Sequence, residues 1–369
     1  MKTLRVGLAG CGFAGHIHSR SLILVKGSKV SSKVTVELVA VADVNKERAQ
    51  VTAEQYGWQN VEQSWTDLFK HNLDLIIVAL PNGEHVEIVK KATEANVAIL
   101  LEKPVARTYA EALEIMEAAK DNQRVRVAYV NRFVPAAQRA KLLIDSGGIG
   151  DIRMVRSVYL LNMRRPGGTP DWRFDQNLAG HGASDDLGSH HIDLINFLAS
   201  DITEVQSDTR IWDIADAPVA TNDDAINSLI TLQNGGFGTL TASRTSPGHP
   251  LTGYVEIEGS KGALRVDRSY LNDLFIREES GAFVQKNIRP VDDFATLWAA
   301  PTVQGAHPFS WYDCFAFQMA EMVQMAAGIP LETKWLASLE DGIKAMSITE
   351  AMMASAKTNE RKKVDFPEV

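Results

Sequence analysis

Leu4-Arg5-Val6-Gly7-Leu8-Ala9-Gly10-Cys11-Gly12-Phe13-Ala14-Gly15 is the stretch on which the reading of this chain turns. Its first six residues predict a short strand, and the residues from Ala14 predict a helix over 14–25. Between them lies a G-x-G-x-x-G, in the strand–turn–helix setting that a dinucleotide-binding turn requires. Gly10 permits the tight turn, Gly12 lets the backbone approach a pyrophosphate, and Gly15 lets helix pack closely on strand. With Phe13 and Ala14 they form the expected cofactor-binding turn, where a helix N-terminus offers N–H groups and a positive dipole end to phosphate. Alone, such a turn also reads as a plain structural bend, so its neighbours have to decide.

Residues 26–33 are rich in Ser, Lys and Gly and predict a surface loop; 36–42 predict a second, nearly all-apolar strand. Asp43 closes that strand, where a carboxylate would bind the adenosine ribose hydroxyls. The loop accounts for the longer than usual spacing. Asp43 also reads as a cap for the next helix, a role open to Asn45. A carboxylate there repels a 2′-phosphate, which favours NAD, while nearby Lys46 and Arg48 keep NADP open. Further along come a helix over 45–56 stopped by Gly57, a strand over 75–80, a helix over 85–95 and a strand over 97–101. Thr108 and Glu111 form a capping box for a helix ending near Lys120, and 125–130 predict another strand. This alternation predicts a doubly wound parallel sheet, a Rossmann domain over residues 1–130.

The remaining residues, 131–369, follow a different pattern. A long strand is predicted over 152–163, and alternating runs separated by turns fill 205–286. Asn234-Gly235-Gly236 between two such runs is a hairpin signal. Apolar-periodic helices are predicted over 187–198, 311–327 and 336–356. The expectation is an α+β substrate-binding domain with a large, mostly antiparallel open sheet. Val255, Ile257, Leu264 and Val266 are expected on its open face, as the interface of a homodimer or homotetramer.

With 369 residues and a net charge of -8, the chain is large enough for two domains and lacks the basic balance that nucleic-acid binding needs. Its two cysteines, Cys11 and Cys314, lack metal-type spacing and suit a reducing compartment, although a bridge between them is arithmetically possible. No apolar run is long enough to span a bilayer, and the first one is needed as a strand rather than a signal peptide. The expected location is the cytoplasm, with no membrane partner.

The segment Leu100-Leu101-Glu102-Lys103-Pro104-Val105-Ala106 resembles the Glu-Lys-Pro motif of the glucose–fructose oxidoreductase/inositol dehydrogenase (Gfo/Idh/MocA) family. Pro81-Asn82-Gly83-Glu84-His85 resembles that family's Pro-Asn-x-x-His, and Asn131-Arg132-Phe133 with Pro135 its Arg-Phe-x-Pro. Gly180-His181-Gly182, then Asp186-Leu187-Gly188-Ser189-His190 and Asp193, resembles its Gly-Gly-Gly…Asp-x-Gly-x-His-x-x-Asp segment, with His181 departing from a glycine. The resemblance covers essentially the whole chain. It implies cofactor contacts from Pro81, Asn82, His85, Glu102, Lys103, Arg132 and the pair Trp172-Arg173.

Oxidising an alcohol by hydride transfer leaves an alkoxide-like oxygen whose proton must be taken and whose charge must be stabilised. Of the doubled Asp185-Asp186 and His190-His191, the resemblance implies Asp186 and His190, which keep the family motif's four-residue spacing with Gly188 between them. The expected roles are His190 as proton acceptor, Asp186 as its orienter and a substrate ligand, and Lys103 as electrostatic partner, with the Lys and His roles exchangeable. The Lys103–Pro104 peptide is expected to be cis. The crowding of His181, Asp185, Asp186, His190, His191 and Asp193 also suits a metal site, but a cap and a core histidine rank above it, so no metal is expected. The long Pro/Gly-rich loop 164–179 carries Trp172, which reads equally as a wall for nicotinamide or sugar and as an aromatic plug. Tyr159, Asn162 and Arg164, on or after the long strand, are further substrate-side candidates; Tyr312 and the aromatic stretch 309–317 are weaker ones. The expected function is an NAD(P)-dependent dehydrogenase of a sugar, glycoside or cyclitol. The alternatives are a redox-assisted glycoside hydrolase or lyase, which would form no net NADH, and a dinucleotide or sugar sensor.

Overall fold

A computed structural model describes residues 2–277, 281, 283–287, 310–331, 333 and 335–365. The chain divides into two compact units. The first comprises the described parts of 1–105, 110–133 and 290–340; the second comprises those of 106–109, 134–289 and 341–369.

The first unit is built on strands β1 (Lys2–Ala9), β2 (Val34–Ala42), β3 (Asn60–Glu62), β4 (Leu75–Val78), β5 (Ala98–Leu101) and β6 (Val125–Val127). They pair in parallel in the order β6-β5-β4-β1-β2-β3, and Ala337–Ser338 adds a short antiparallel edge beside β6. β4 and β5 are apolar throughout and wholly buried, as parallel strands covered on both faces must be. Helices α1 (Phe13–Lys26), α2 (Lys46–Tyr56), α3 (His85–Glu94) and α4 (Tyr109–Ala118) alternate with the strands, α4 joining this unit from Ala110. The late helix Trp311–Ala326 packs on α1. Because β1 lies between β2 and β4, the strand order reverses there, and the carboxyl ends of β1, β4 and β5 open onto the switch point where such sheets bind ligands.

Two predicted strands end early. The one over 75–80 stops at Val78, ahead of Pro81, and the one over 125–130 stops at Val127, ahead of a 3-10 turn at Val130–Phe133. The predicted loop 26–33 contains a 3-10 turn, Lys29–Ser32, capped by Ser28 and anchored by buried Val30.

The second unit carries β7 (Ile152–Leu160), β8 (Ile202–Arg210), β9 (Ala225–Leu232), β10 (Phe237–Ser243), β11 (Thr252–Gly259), β12 (Ala263–Asp267), β13 (Asp273–Arg277) and β14 (Phe283–Asn287). Their order is β14-β13-β12-β11-β7-β10-β9-β8, closed by the edge pair Lys362–Lys363. β7 and β10 pair in parallel; the other neighbours are antiparallel. The predicted long strand 152–163 ends at Leu160, beyond which Asn162 makes a single bridge to Thr245. β9 and β10 form the predicted hairpin, with Gly235 at φ 85° and Asn234 Oδ1 accepting from Gly236 N at 3.0 Å.

Helices α5 (Pro135–Asp145) and α6 (Ser189–Leu198) cover one face of this sheet. The structure reverses one expectation here. Val255, Ile257, Leu264 and Val266 are buried on the helix-covered face and form the domain core. Strand alternation then puts Tyr254, Glu256, Glu258 and Arg265 on the open face, with exposed Leu229 and Phe237. Glu256 and Glu258 both pair with Arg156, and Arg265 lies 3.8 Å over the Tyr254 ring. The alternation was read correctly, but burying the larger aliphatic set against the helices outweighs exposing it to a partner.

Candidate functional site

In the first unit the glycine-rich turn divides its labour. Gly10 has φ +95°, and a Cβ there would lie 2.2 Å from the Ala79 carbonyl oxygen. At Gly15 a Cβ would lie 2.1 Å from the Gly10 carbonyl oxygen. Both glycines are thus demanded by the protein's own backbone. Gly12 is not: nothing lies within 4 Å of the position its Cβ would take. It is also the N-cap of α1, with no side-chain cap and no acid in the first turn. An open cradle before an uncapped helix start fits a pyrophosphate. Phe13 stands exposed beside it.

Asp43 backs this turn. Its Oδ2 accepts from Cys11 N and its Oδ1 from Asn45 N, both at 2.8 Å. Asn45 caps α2, its Oδ1 accepting from Arg48 N at 3.0 Å. Arg48 Nη1 lies 3.6 Å from Asp43. Burial, then the Asp43 charge, pushes the Cys11 thiol up to about 12, so it stays protonated. Cys11 and Cys314 are both free and buried.

At the end of β4, Asn82 is buried in a 3-10 turn behind exposed Pro81. His85 is fully buried, its ring nitrogens 3.0 Å from Val105 O and 3.1 Å from Leu80 O. Burial holds its pKa below the ordinary value, and the ring braces the loop from beneath. At the end of β5, Glu102 Oε1 meets His18 Nε2 at 2.8 Å and Oε2 accepts from Lys103 N at 3.2 Å. Burial raises the Glu102 pKa, but the His18 hydrogen bond and charge, with Lys103, outweigh it and hold the carboxylate ionised. Lys103 is half-buried, and the Lys103–Pro104 peptide is cis. Arg132 is buried in the 3-10 turn that follows β6. Tyr312 lies half exposed on the late helix, 5.3 Å from the Arg20 guanidinium; Phe309 lies outside the described residues.

In the second unit, Ser184–Gly188 form a π-helical turn that runs directly into α6. This irregular turn sorts the doubled residues. Asp185 is buried, and its Oδ2 accepts from His181 N at 3.0 Å. Burial pushes its pKa up to about 6. Asp186 is only half-buried, with its amide bonded to Gly182 O at 2.9 Å. His191 is a core residue: its Nδ1 lies 2.7 Å from Ser157 Oγ and its ring packs 4.8 Å from that of Tyr159. Burial, reinforced by Arg268, drives its pKa down to about 3, so it is neutral. His190 sits one residue earlier, its ring 6.1 Å from Tyr159.

His181, the departure from glycine, lies 3.7 Å from Glu350 on the helix Leu339–Thr358. Burial lowers its pKa, but Glu350, Asp185 and Asp223 together raise it to about 9. Arg164 does not face a substrate: it is buried, with Nη1 2.6 Å from Asp224 and Nε donating to Pro218 O at 2.7 Å. Two residues past the Asn162–Thr245 bridge, its side chain meets a buried carboxylate. Asn162 is half-buried at the isolated bridge. Trp172 and Arg173 form a 3-10 turn capped by Asp171, with the guanidinium 4.7 Å over the indole. Among the described residues, no group of three or more His, Cys, Asp or Glu could hold a metal ion. Sequence reading passed over His18 and the buried run Asn222-Asp223-Asp224. The only local signal for the latter was three consecutive polar residues ahead of a strand.

A glycine-rich turn at the switch point of a parallel sheet, followed by a domain on a broad antiparallel sheet, defines a two-domain dinucleotide-dependent protein. Residues 4–130 match the family model described as an oxidoreductase family with an NAD-binding Rossmann fold, and 137–265 match that of the GFO/IDH/MocA C-terminal domain. The chain belongs to the Gfo/Idh/MocA family of NAD-dependent oxidoreductases. It is 28% identical over 332 residues to the levoglucosan dehydrogenase of Pseudarthrobacter phenanthrenivorans, covering 84% of this chain and 82% of that one. It is 29% identical over 266 residues to the NAD-dependent scyllo-inositol 2-dehydrogenase of Bacillus subtilis, covering 71% and 73%. A solved levoglucosan dehydrogenase in complex with NADH superposes over 100% of both chains, with a TM-score of 0.90 and 26% identity.

Proposed function

We propose that the enzyme oxidises a secondary hydroxyl of a sugar, glycoside or cyclitol, using NAD as hydride acceptor. The observation that carries this reading is the sorting of residues at the π turn. Asp185 and His191 are the more deeply buried member of each pair, 1% and 3% exposed against a half-buried Asp186 and 8% for His190, which supports Asp186 and His190 as the pair for chemistry. The similarity to levoglucosan and scyllo-inositol dehydrogenases supports the substrate class. In this division of labour residues 1–130 hold the cofactor and 131–369 the substrate.

When bound, the nicotinamide supplies the hydride acceptor. The uncapped start of α1 and the space at Gly12 would hold the pyrophosphate. Asp43 would accept from the ribose hydroxyls and favours NAD, with Arg48 beside it leaving NADP usable. Pro81, Asn82, Lys103, Arg132 and the Trp172–Arg173 turn would complete the cofactor contacts, and Tyr159, Asn162 and Trp172 would meet the substrate. His190 would take the hydroxyl proton as the carbon gives up its hydride. The Lys103 ammonium stabilises the oxygen as negative charge builds on it. Asp186 orients His190 and accepts from a neighbouring hydroxyl.

The open sheet face, with Leu229, Phe237 and Tyr254 among paired charges, is the interface of a homodimer or homotetramer. The cytoplasm suits two unbonded cysteines. The direct test is cofactor reduction by a panel of sugars, glycosides and cyclitols. NADH formation lost in Lys103→Ala and His190→Ala supports the reading; glycoside cleavage without net NADH formation rejects it.

A further inference from the structure

The buried run Asn222-Asp223-Asp224 lies immediately ahead of β9, and each residue bonds in a different direction. Asp223 faces the start of the π turn. Its Oδ1 accepts from Gly182 N at 2.6 Å and from Ser184 Oγ at 3.0 Å, and its Oδ2 accepts from Ser184 N at 2.8 Å. Its carbonyl accepts from Ala183 N at 2.8 Å. The fit is tight: a Cβ on Gly182 would lie 2.0 Å from that carbonyl oxygen. The segment leading into Asp186 and His190 is therefore held by one carboxylate and its own peptide.

Asn222 reaches two ways. Its Nδ2 donates to Gly180 O at 2.9 Å, just before the turn, and to Arg173 O at 3.1 Å, in the Trp172 loop. Arg244, fully buried, ties the same points: Nη1 donates to Arg173 O at 3.0 Å and Nη2 to Asn222 Oδ1 at 2.8 Å. Asp224 completes the frame by accepting from Arg244 Nε at 3.1 Å and Arg164 Nη1 at 2.6 Å. Two chain segments that carry candidate site residues thus meet on one buried tripeptide.

We propose that Asp223 is a positioning residue, which with Asn222 couples the Trp172–Arg173 turn to the Asp186–His190 turn so that the two hold one fixed geometry. This rests on the reading that Asp186 and His190 carry the chemistry. An ionised carboxylate can serve all three donors at once. An asparagine can accept on one side only, and its NH₂ would face a backbone or hydroxyl donor on the other.

The test uses the full chain with Asp223→Asn, and with Ser184→Ala, which removes a single donor, should the first variant fail to fold. Amide hydrogen exchange needs no substrate. In Asp223→Asn, exchange should rise roughly ten-fold or more in peptides covering 180–188 and also in those covering 172–174, with the β9 and β10 strands unchanged. Ser184→Ala should show a smaller rise in the same two regions. A rise confined to 180–188, or none, overturns the coupling. In turnover, Asp223→Asn should lower kcat about 10–100-fold and shift the limb of the pH profile that reports His190. A wild-type kcat and pH profile in that variant overturns the positioning role. A wild-type enzyme that oxidises no polyol would instead sink the functional reading, while the exchange data still decide the coupling.

Discussion

His190 and His191 are adjacent, both buried against Tyr159, and differ in depth and partners. His191 hydrogen-bonds a buried serine, packs 4.8 Å from the Tyr159 ring and is held neutral by burial; His190 lies 6.1 Å from the same ring, two residues past the irregular turn. His190→Ala should lower kcat/KM by about 10²–10⁴-fold, as expected for a lost proton acceptor, with a smaller loss of stability than His191→Ala. His191→Ala should cost roughly 3 kcal/mol of stability, through a cavity and an orphaned Ser157 hydroxyl, and leave the shape of the pH profile intact. Thermal melts and pH–rate profiles of the two variants separate these outcomes, and the reverse pattern would mean that the roles are exchanged. His181 offers a second test. Its pKa rises on folding from an ordinary 6.5 to about 9, so its contribution is full below about 6.5 and is lost as pH rises through about 9. Wild-type melting temperature should therefore fall more steeply over that window than that of His181→Gln. Parallel curves would show that the ion pair with Glu350 contributes nothing.

At the scale of elements, the glycine-rich turn separates what the fold needs from what the cofactor needs. Gly15→Ala puts a methyl group into the Gly10 carbonyl and should destabilise the first unit by about 1–3 kcal/mol. Gly12→Ala meets open space, so its folding cost should stay below about 1 kcal/mol while NAD binding weakens at least about ten-fold. Calorimetry of NAD binding beside thermal melts of both variants is the check; an unchanged affinity in Gly12→Ala would remove the pyrophosphate from this turn. These elements were legible in the sequence because their signals are local: an apolar run, a turn residue, a helix cap. The π turn at 184–188 was not, because the residues that open it are held by Asp223, some forty positions further along the chain. Arg164 was misplaced for a related reason. Alternation reports which face a strand residue takes, but says nothing of the carboxylate waiting where the strand ends.

For the whole molecule, period-2 patterning showed that the second sheet has two unlike faces, but it could not say which one the chain's own helices would take. The helices bury Val255, Ile257, Leu264 and Val266, which leaves Leu229 and Phe237 on the open face among aromatic and ion-paired side chains. If that face joins subunits, Leu229→Asp should reduce the molar mass measured by light scattering to that of fewer chains. A wild-type mass equal to one chain would remove the interface.

The most direct measurement is the absorbance of reduced nicotinamide when the purified enzyme is mixed with NAD or NADP and a panel of anhydrosugars, glycosides and cyclitols. The expected result is NADH formation with a subset of the panel, slower formation with NADP, and loss of both in Lys103→Ala and His190→Ala. Tight NAD binding without reduction by any polyol, or glycoside cleavage with no net NADH, would contradict it.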